Sequence, residues 1–200
     1  MTSMIYETLE ILVNQINTHL GTKPNDDSEL ILENIAKQDD ATVTKIKDRV
    51  VVSLLNMEEE TTLKNRPNSR FKNGKTIYKN NKIYLNLYVL FAANRTSYDK
   101  ALISINSIVE FFHSKKVFTQ KNTPFTSSNS LFDDLKEFKF TVELYTPTFE
   151  QLNYIWGTLG GKSVPSLLYK VSLIEIDSEA ISEIRPAITN VSAKTKDFVK

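Results

Sequence analysis

The chain has 200 residues and a mass of 22.9 kDa, long enough for one compact domain to bury roughly 70% of its unfolded surface with no disulfide staple. It has no cysteine, which excludes disulfides, thiolate metal sites, iron–sulfur clusters and cysteine nucleophiles, and its two histidines, His19 and His113, exclude a three-histidine metal site within one chain. Twenty-five basic against twenty-four acidic residues leave a formal charge of +1, so partners have to be argued from local charge and not from a whole-chain field.

Ile5, Leu9, Leu12, Val13, Ile16 and Leu20 recur at helical spacing, and Gly21 follows the last of them, which predicts a first helix with a glycine stop. Glu7 and Glu10 in the same stretch, with no base before them, do not fit a secretory signal. The longest apolar run, 87–93, is seven residues, short of the roughly 20 that span a bilayer. The expectation is a chain made in a cytoplasm, with no membrane partner.

After a Pro/Asn/Asp-rich break, residues 30–35 predict a strand, and 49–57, with three consecutive valines, a second strand apolar on both faces. From Thr61 to Lys82 there are seven bases (Lys64, Arg66, Arg70, Lys72, Lys75, Lys79, Lys82) and no acid, reading as a long polar loop or flexible hairpin. Setting its seven positive charges aside leaves the rest of the chain at −6, so the near-neutral total hides an asymmetry.

Residues 83–93 place Ile83, Leu85, Leu87, Val89 and Phe91 on one face and Tyr84, Asn86, Tyr88 and Leu90 on the other, the pattern of a central strand. Thr96 is the expected N-cap of a second helix with Asp99 three residues on, its buried side formed by Tyr98, Ala101, Leu102, Ile105, Ile108, Val109 and Phe112. A Ser/Asn/Thr-rich connection over 114–135 leads to a strand carrying Phe138, Phe140, Val142 and Leu144. Thr148 and Gln151 form a capping-box pattern for a short third helix buried through Leu152, Ile155, Trp156 and Leu159, closed by Gly160-Gly161, and 166–176 is the last strand. The fold class is therefore mixed α/β of the α+β type: one mixed, largely antiparallel sheet with packed helices over 1–176, and a C-terminal arm over 177–200.

Little in the sequence suggests catalysis. Gly157 to Ser163 imitates a phosphate loop, but the spacing to Gly-Lys is one residue short, a helix leads in, and Val164-Pro165 stops one from leaving, so the glycines read as a helix stop. The acid pairs at 26–27, 39–40, 58–60 and 133–134 have no spacing that predicts convergence. Each histidine sits near the end of a helix, where it complements the dipole. No Gly-x-Ser-x-Gly elbow is present. No catalytic residue, cofactor or metal is expected, and the residues alone point to a binding or assembly module. The alternative from another class is a nucleic-acid-binding module in which the bases of 64–82, with Phe71 and Tyr78 among them, contact backbone and stack on bases.

Several stretches together resemble one family: Met4-Ile5-Tyr6-Glu7-Thr8-Leu9; Ser53 to Glu60 leading to Leu63-Lys64-Asn65; Leu85 to Asn94; Tyr98 to Leu102; Phe111-Phe112; Val117-Phe118-Thr119; Leu152-x-x-x-Trp156-x-x-Leu159-Gly160; and Pro165-Ser166-x-x-Tyr169-Lys170-Val171. They are similar to the cap, or tail-terminator, proteins of extracellular contractile injection systems, the phage-tail-like particles of the virulence-cassette and antifeeding-prophage type. The resemblance implies a structural protein that closes the inner tube at the end distal to the baseplate and anchors the last sheath layer. It also implies six copies in a ring, with tube and sheath proteins as partners, in a particle released from the cell or held at a membrane. Between 67 and 81 this chain departs from the family with a lysine- and asparagine-rich insert. Two partner-binding surfaces follow as expectations: Arg66, Arg70, Lys72 and Lys75 against an acidic tube or sheath surface, and Ile184, Ile188 and Val191 on an arm that adds a strand to a sheath sheet.

Overall fold

The computed structural model describes residues 4–23, 26–38, 40, 44–63, 69–72, 75–79, 83–124, 138–176 and 181–186. Its elements in chain order are α1 (Met4–Leu20), β1 (Leu30–Leu32), β2 (Arg49–Glu59), β3 (Ser69–Lys72), β4 (Lys75–Lys79), β5 (Ile83–Asn94), α2 (Tyr98–Ser114), β6 (Val117–Thr119), β7 (Lys139–Tyr145), α3 (Phe149–Thr158), β8 (Ser166–Ile176) and β9 (Ile181–Pro186). Packing divides the chain into a large unit, residues 1–60 and 84–176, and a small one, residues 61–83 and 177–200.

The large unit is a six-stranded sheet in the order β1-β2-β5-β8-β7-β6. It is mixed: β1 runs parallel to β2, while β2–β5, β6–β7 and β7–β8 are antiparallel. The long strands are apolar on both faces because helices cover both. Val50, Val52, Leu87, Val89, Phe91, Ala93, Tyr169 and Val171 point into the layer filled by α1 and α2. Val51, Leu90, Ala92 and Leu168 point into a second layer with Trp156 of α3. Alternation at a period of two thus becomes a three-layer arrangement, and Phe91, packed edge-on against Phe112 and Tyr169 at 5.5 and 5.6 Å, marks the middle of the first layer.

Both ends of α3 follow the pattern read from the sequence. Thr148 accepts from the Gln151 amide while the Gln151 side chain accepts from the Thr148 amide. After the helix, Gly160 and Gly161 take φ of +105° and +83°, and the Gly161 N–H donates to the Trp156 carbonyl at 2.7 Å. Nothing lies within 4 Å of where a Cβ would sit on either glycine, so the left-handed backbone, and not space, calls for them.

Three expectations need correction. The N-cap of α2 is Ser97, in extended conformation, whereas Thr96 turns its amide and hydroxyl to Asp48 Oδ1, both at 3.0 Å. The buried face of α2 is Ala101, Ser104, Ser107, Ile108, Phe111 and Phe112; Tyr98, Leu102 and Val109 are exposed. Small serines permit close approach here, Ser104 meeting Ser28 at 2.6 Å. The connection after α2 contains a strand, β6, whose three residues pair with the start of β7.

Among its described residues, the small unit forms a three-stranded antiparallel sheet in the order β3-β4-β9. The basic segment is therefore a hairpin, joined on its other side by a strand from the C-terminal segment.

Candidate functional site

In the small unit, register decides which residues share a face. Arg70, Ile77 and Ile184 are cross-strand partners in one row, and Lys72, Lys75 and Pro186 form the next row of the same parity. Ser69, Tyr78 and Glu183 form one row of the other face, and Phe71, Thr76 and Arg185 the next. Four of the sequence-selected residues, Arg70, Lys72, Lys75 and Ile184, thus come to one face of one sheet. Arg66, Ile188 and Val191 lie outside the described residues. Lys72 stands directly opposite Lys75, a like-charge pair that weakens a hairpin when nothing anionic faces it.

In the large unit, an open groove of about 790 Å³ runs between α3 and the sheet, lined by Leu54, Leu55, Glu58, Tyr88, Tyr145 and Tyr154 among others. The Tyr88 hydroxyl donates to Glu58 Oε2 at 2.9 Å, which raises the Tyr88 pKa, and the Tyr145 ring meets Tyr88 edge-on at 5.2 Å. One carboxylate engaged by one phenol provides neither a nucleophile with a base nor a pair of acids with separated roles. Among the described residues no group of three or more His, Asp or Glu could hold a metal ion. The segment that imitates a phosphate loop follows a helix and precedes a strand, so no helix N-terminus faces an anion there.

At the opposite end of β2, Arg95 joins three loops. Its side chain is 1% exposed and pairs with Asp27 and Asp48; Nη1 also donates to the Asp48 carbonyl at 3.0 Å. Lys100 reaches Asp27 Oδ2 at 2.7 Å. The Lys100 hydrogen bond, with the Arg95 charge, lowers the Asp27 pKa, and the Thr96 amide and hydroxyl, with Arg95, lower that of Asp48. Asp48 itself has φ of +57°. This cluster holds the entry to β1, the turn before β2 and the start of α2 together, a structural role that the acid pair at 26–27 did not reveal in sequence.

Surfaces remain where apolar groups meet solvent. Phe149 is 92% exposed and Tyr98 70%; Met57 and Leu144 are half exposed. At the β1 edge, Asn17 bonds both the amide and the carbonyl of Leu30, at 2.8 and 2.9 Å, and so covers the edge strand.

The family model for the Pvc16 N-terminal domain matches residues 7–190. The chain belongs to this family. Among solved structures, it is similar to the sheath/tube terminator of the PVC extracellular contractile injection system in its extended state. There the TM-score is 0.56 at 13% identity, over 100% of this chain and 65% of that one. It is also similar to the tube-terminating cap of the anti-feeding prophage, with a TM-score of 0.52 at 15% identity, over 92% of this chain and 60% of that one. At these identities the likeness is one of fold, and the chain spans about 60–65% of the length of those proteins. No match was found among curated proteins. The mixed sheet with three helices is thus the terminator type of fold that the sequence resemblance implied.

Proposed function

We propose that this Pvc16 N-terminal domain is a non-enzymatic cap that closes the inner tube and holds the last sheath layer at the baseplate-distal end of a contractile injection particle, acting as a ring of six copies. The observation that carries this reading is the fold likeness to a sheath/tube terminator over the entire chain, together with membership of the family. The physics of the molecule fits the role. Its large sheet carries helices on both faces, the groove beside α3 brings together no catalytic groups among the described residues, and exposed apolar groups mark its surface. A terminator needs one face that matches the tube and none that admits another layer, while closure into a ring satisfies the lateral contacts between copies. Synthesis in the cytoplasm followed by incorporation into the particle accords with this role, and no helix among the described residues is long and apolar enough to cross a membrane.

Because Ile184 is paired with Ile77 in β9, the sheath-binding arm is assigned to the chain beyond Pro186, with Ile188 and Val191 as its apolar anchors. Truncation after Pro186 keeps every residue of β9. The truncated chain is expected to form rings on tubes but to lose sheath on purification; sheath retained at the full-length level would contradict the assignment. Removing the whole protein from an otherwise intact particle system is expected to give tubes of uncontrolled length with detached sheath. Particles of normal length and normal sheath in its absence would refute the cap reading.

A further inference from the structure

Beyond the bulge of β2, the sheet face that carries α3 collects hydrogen-bond acceptors and aromatic rings. Asn56 stands opposite Tyr88 and Glu58 opposite Asn86, so these four side chains share one face of the sheet. The Glu58 carboxylate is exposed, accepts from the Tyr88 hydroxyl at 2.9 Å and has no ion-pair partner among the described residues. Asn86 is 2% exposed; its Nδ2 donates to Glu60 Oε2 at 3.0 Å, while its Oδ1 has no hydrogen-bond partner among the described residues.

The rings complete the arrangement. Tyr145 meets Tyr88 at an interplanar angle of 83°, forming a corner beside Glu58, and Tyr154 on α3 turns its hydroxyl to Glu150 at 3.3 Å. The groove they line has a volume of about 790 Å³, within the roughly 300–1,000 Å³ range of ligand sites. Its apolar walls are Leu54, Leu55, Ile155 and Leu159, and no Lys, Arg or His is present among its described lining residues. Lys170, on the same sheet face, stands opposite Glu143 in the β7–β8 register and does not line the groove. A carboxylate with one phenol donor, two rings at right angles and no resident base suit a cation that donates hydrogen bonds.

We infer that this groove holds a lysine or arginine side chain carried on an apolar segment of a partner protein. Charge complementarity chooses the cation, because a phosphate or carboxylate ligand would meet Glu58 with like charge and find no base in the lining. The apolar walls choose a protein segment over a free amine: a small cation would cover the tyrosine corner and leave Leu54, Leu55, Ile155 and Leu159 bare, whereas apolar residues beside a lysine cover both. The inference goes beyond the cap reading, since it names the chemistry of a partner segment and its seat on the large unit.

The test is an NMR titration of the full chain, carbon-13 labelled at tyrosine, at constant ionic strength. The probes are the peptide acetyl-Ser-Val-Lys-Val-Ser-amide, its counterparts with norleucine or glutamate in place of lysine, and n-butylammonium. The lysine peptide is expected to shift the Tyr88 and Tyr145 ring signals saturably below about 10 mM, and to leave Tyr169, buried in the other layer, unmoved. The norleucine and glutamate peptides are expected to bind at least about fivefold more weakly, and Glu58→Gln and Tyr145→Leu each to weaken the lysine peptide at least about threefold. Norleucine or glutamate binding as well as lysine, shifts that do not saturate or bypass Tyr88 and Tyr145, or indifference to Glu58→Gln would each overturn the inference. n-Butylammonium binding as tightly as the lysine peptide would overturn the choice of a protein segment. Should Tyr145→Leu fail to fold, Glu58→Gln alters an exposed side chain and decides alone. Because the titration uses the isolated chain, its failure leaves the cap reading intact, and a chain absent from particles would still be expected to bind the lysine peptide.

Discussion

The two units of this chain reach order by different means. In the large unit, stability comes from burial on both sides of a six-stranded sheet, with aromatic contacts linking Phe91, Phe112, Phe118 and Tyr169 across elements. Among its described residues the small unit has three strands of four, five and six residues and no α-helix, a size at which a sheet is marginal by itself. The large unit carries the net acid and the small unit the net base. The difference in how the two units are built leads to the expectation that substitutions in the large unit act on stability and substitutions in the small one act on assembly.

The largest effect is expected from Phe91→Ala, which empties the centre of the layer under α1 and α2. A loss of about 3–5 kcal/mol in urea unfolding is expected, and a loss below about 1 kcal/mol would mean that the layer is not packed as described. Alkaline pH should act next. Burial raises the Tyr169 pKa from 10.0 to about 12, so the unfolded chain releases this proton first, and the contribution present below pH 10 is lost as pH rises toward 12. About 2–3 kcal/mol of stability is expected to disappear over that window in wild type, and Tyr169→Phe should flatten this part of the pH profile.

Arg95→Met comes third, with an expected loss of about 2 kcal/mol at neutral pH from the broken charged hydrogen bonds. Asp27 and Asp48 have lowered pKa values in the fold, so their contribution is present above the ordinary carboxylate range, near pH 4, and is lost as pH falls through their folded values. The acid limb of the stability profile should therefore be shallower in Arg95→Met than in wild type. The smallest expected effect on stability, within about 0.5 kcal/mol, is that of Lys72→Gln with Lys75→Gln on unfolding of the large unit. A large loss there would show that the small sheet is part of the core and not an appended surface.

How far the sequence foretold these features depends on how local each signal is. Residues of α1, β2, β5, α3 and β8 carry their own periodicity, caps or valine runs, and each lies where that pattern placed it. Local periodicity could not choose between the two apolar stripes of α2. Tyr98, Leu102 and Val109 have helical spacing as good as that of Ala101, Ile108 and Phe112, and only packing of Ser104 against Ser28 decides which faces inward. β6 has three residues, too few for any period, and is defined by its partner Phe140 opposite Phe118. The hairpin of β3 and β4 had a usable sign in Asn73-Gly74, the strongest short turn signal, set within a segment dominated by lysine. β9 had none: Ile-Ser-Glu-Ile-Arg-Pro becomes a strand because β4 offers it an edge.

The candidate surfaces show the same division. Counting charge found the basic segment, but only register could show that Arg70, Lys72 and Lys75 share a face with Ile184. Arg95 gave no sign in sequence, because its partners at 27 and 48 are distant along the chain and meet it only in the fold.

The central claim is that this domain caps one end of a contractile particle, and its most direct test is to place a small tag on the protein in its native system, purify particles and locate the tag by electron microscopy. The account predicts label at a single end of each rod, opposite the baseplate. Label distributed along the rods, at the baseplate, or absent from particles would contradict it.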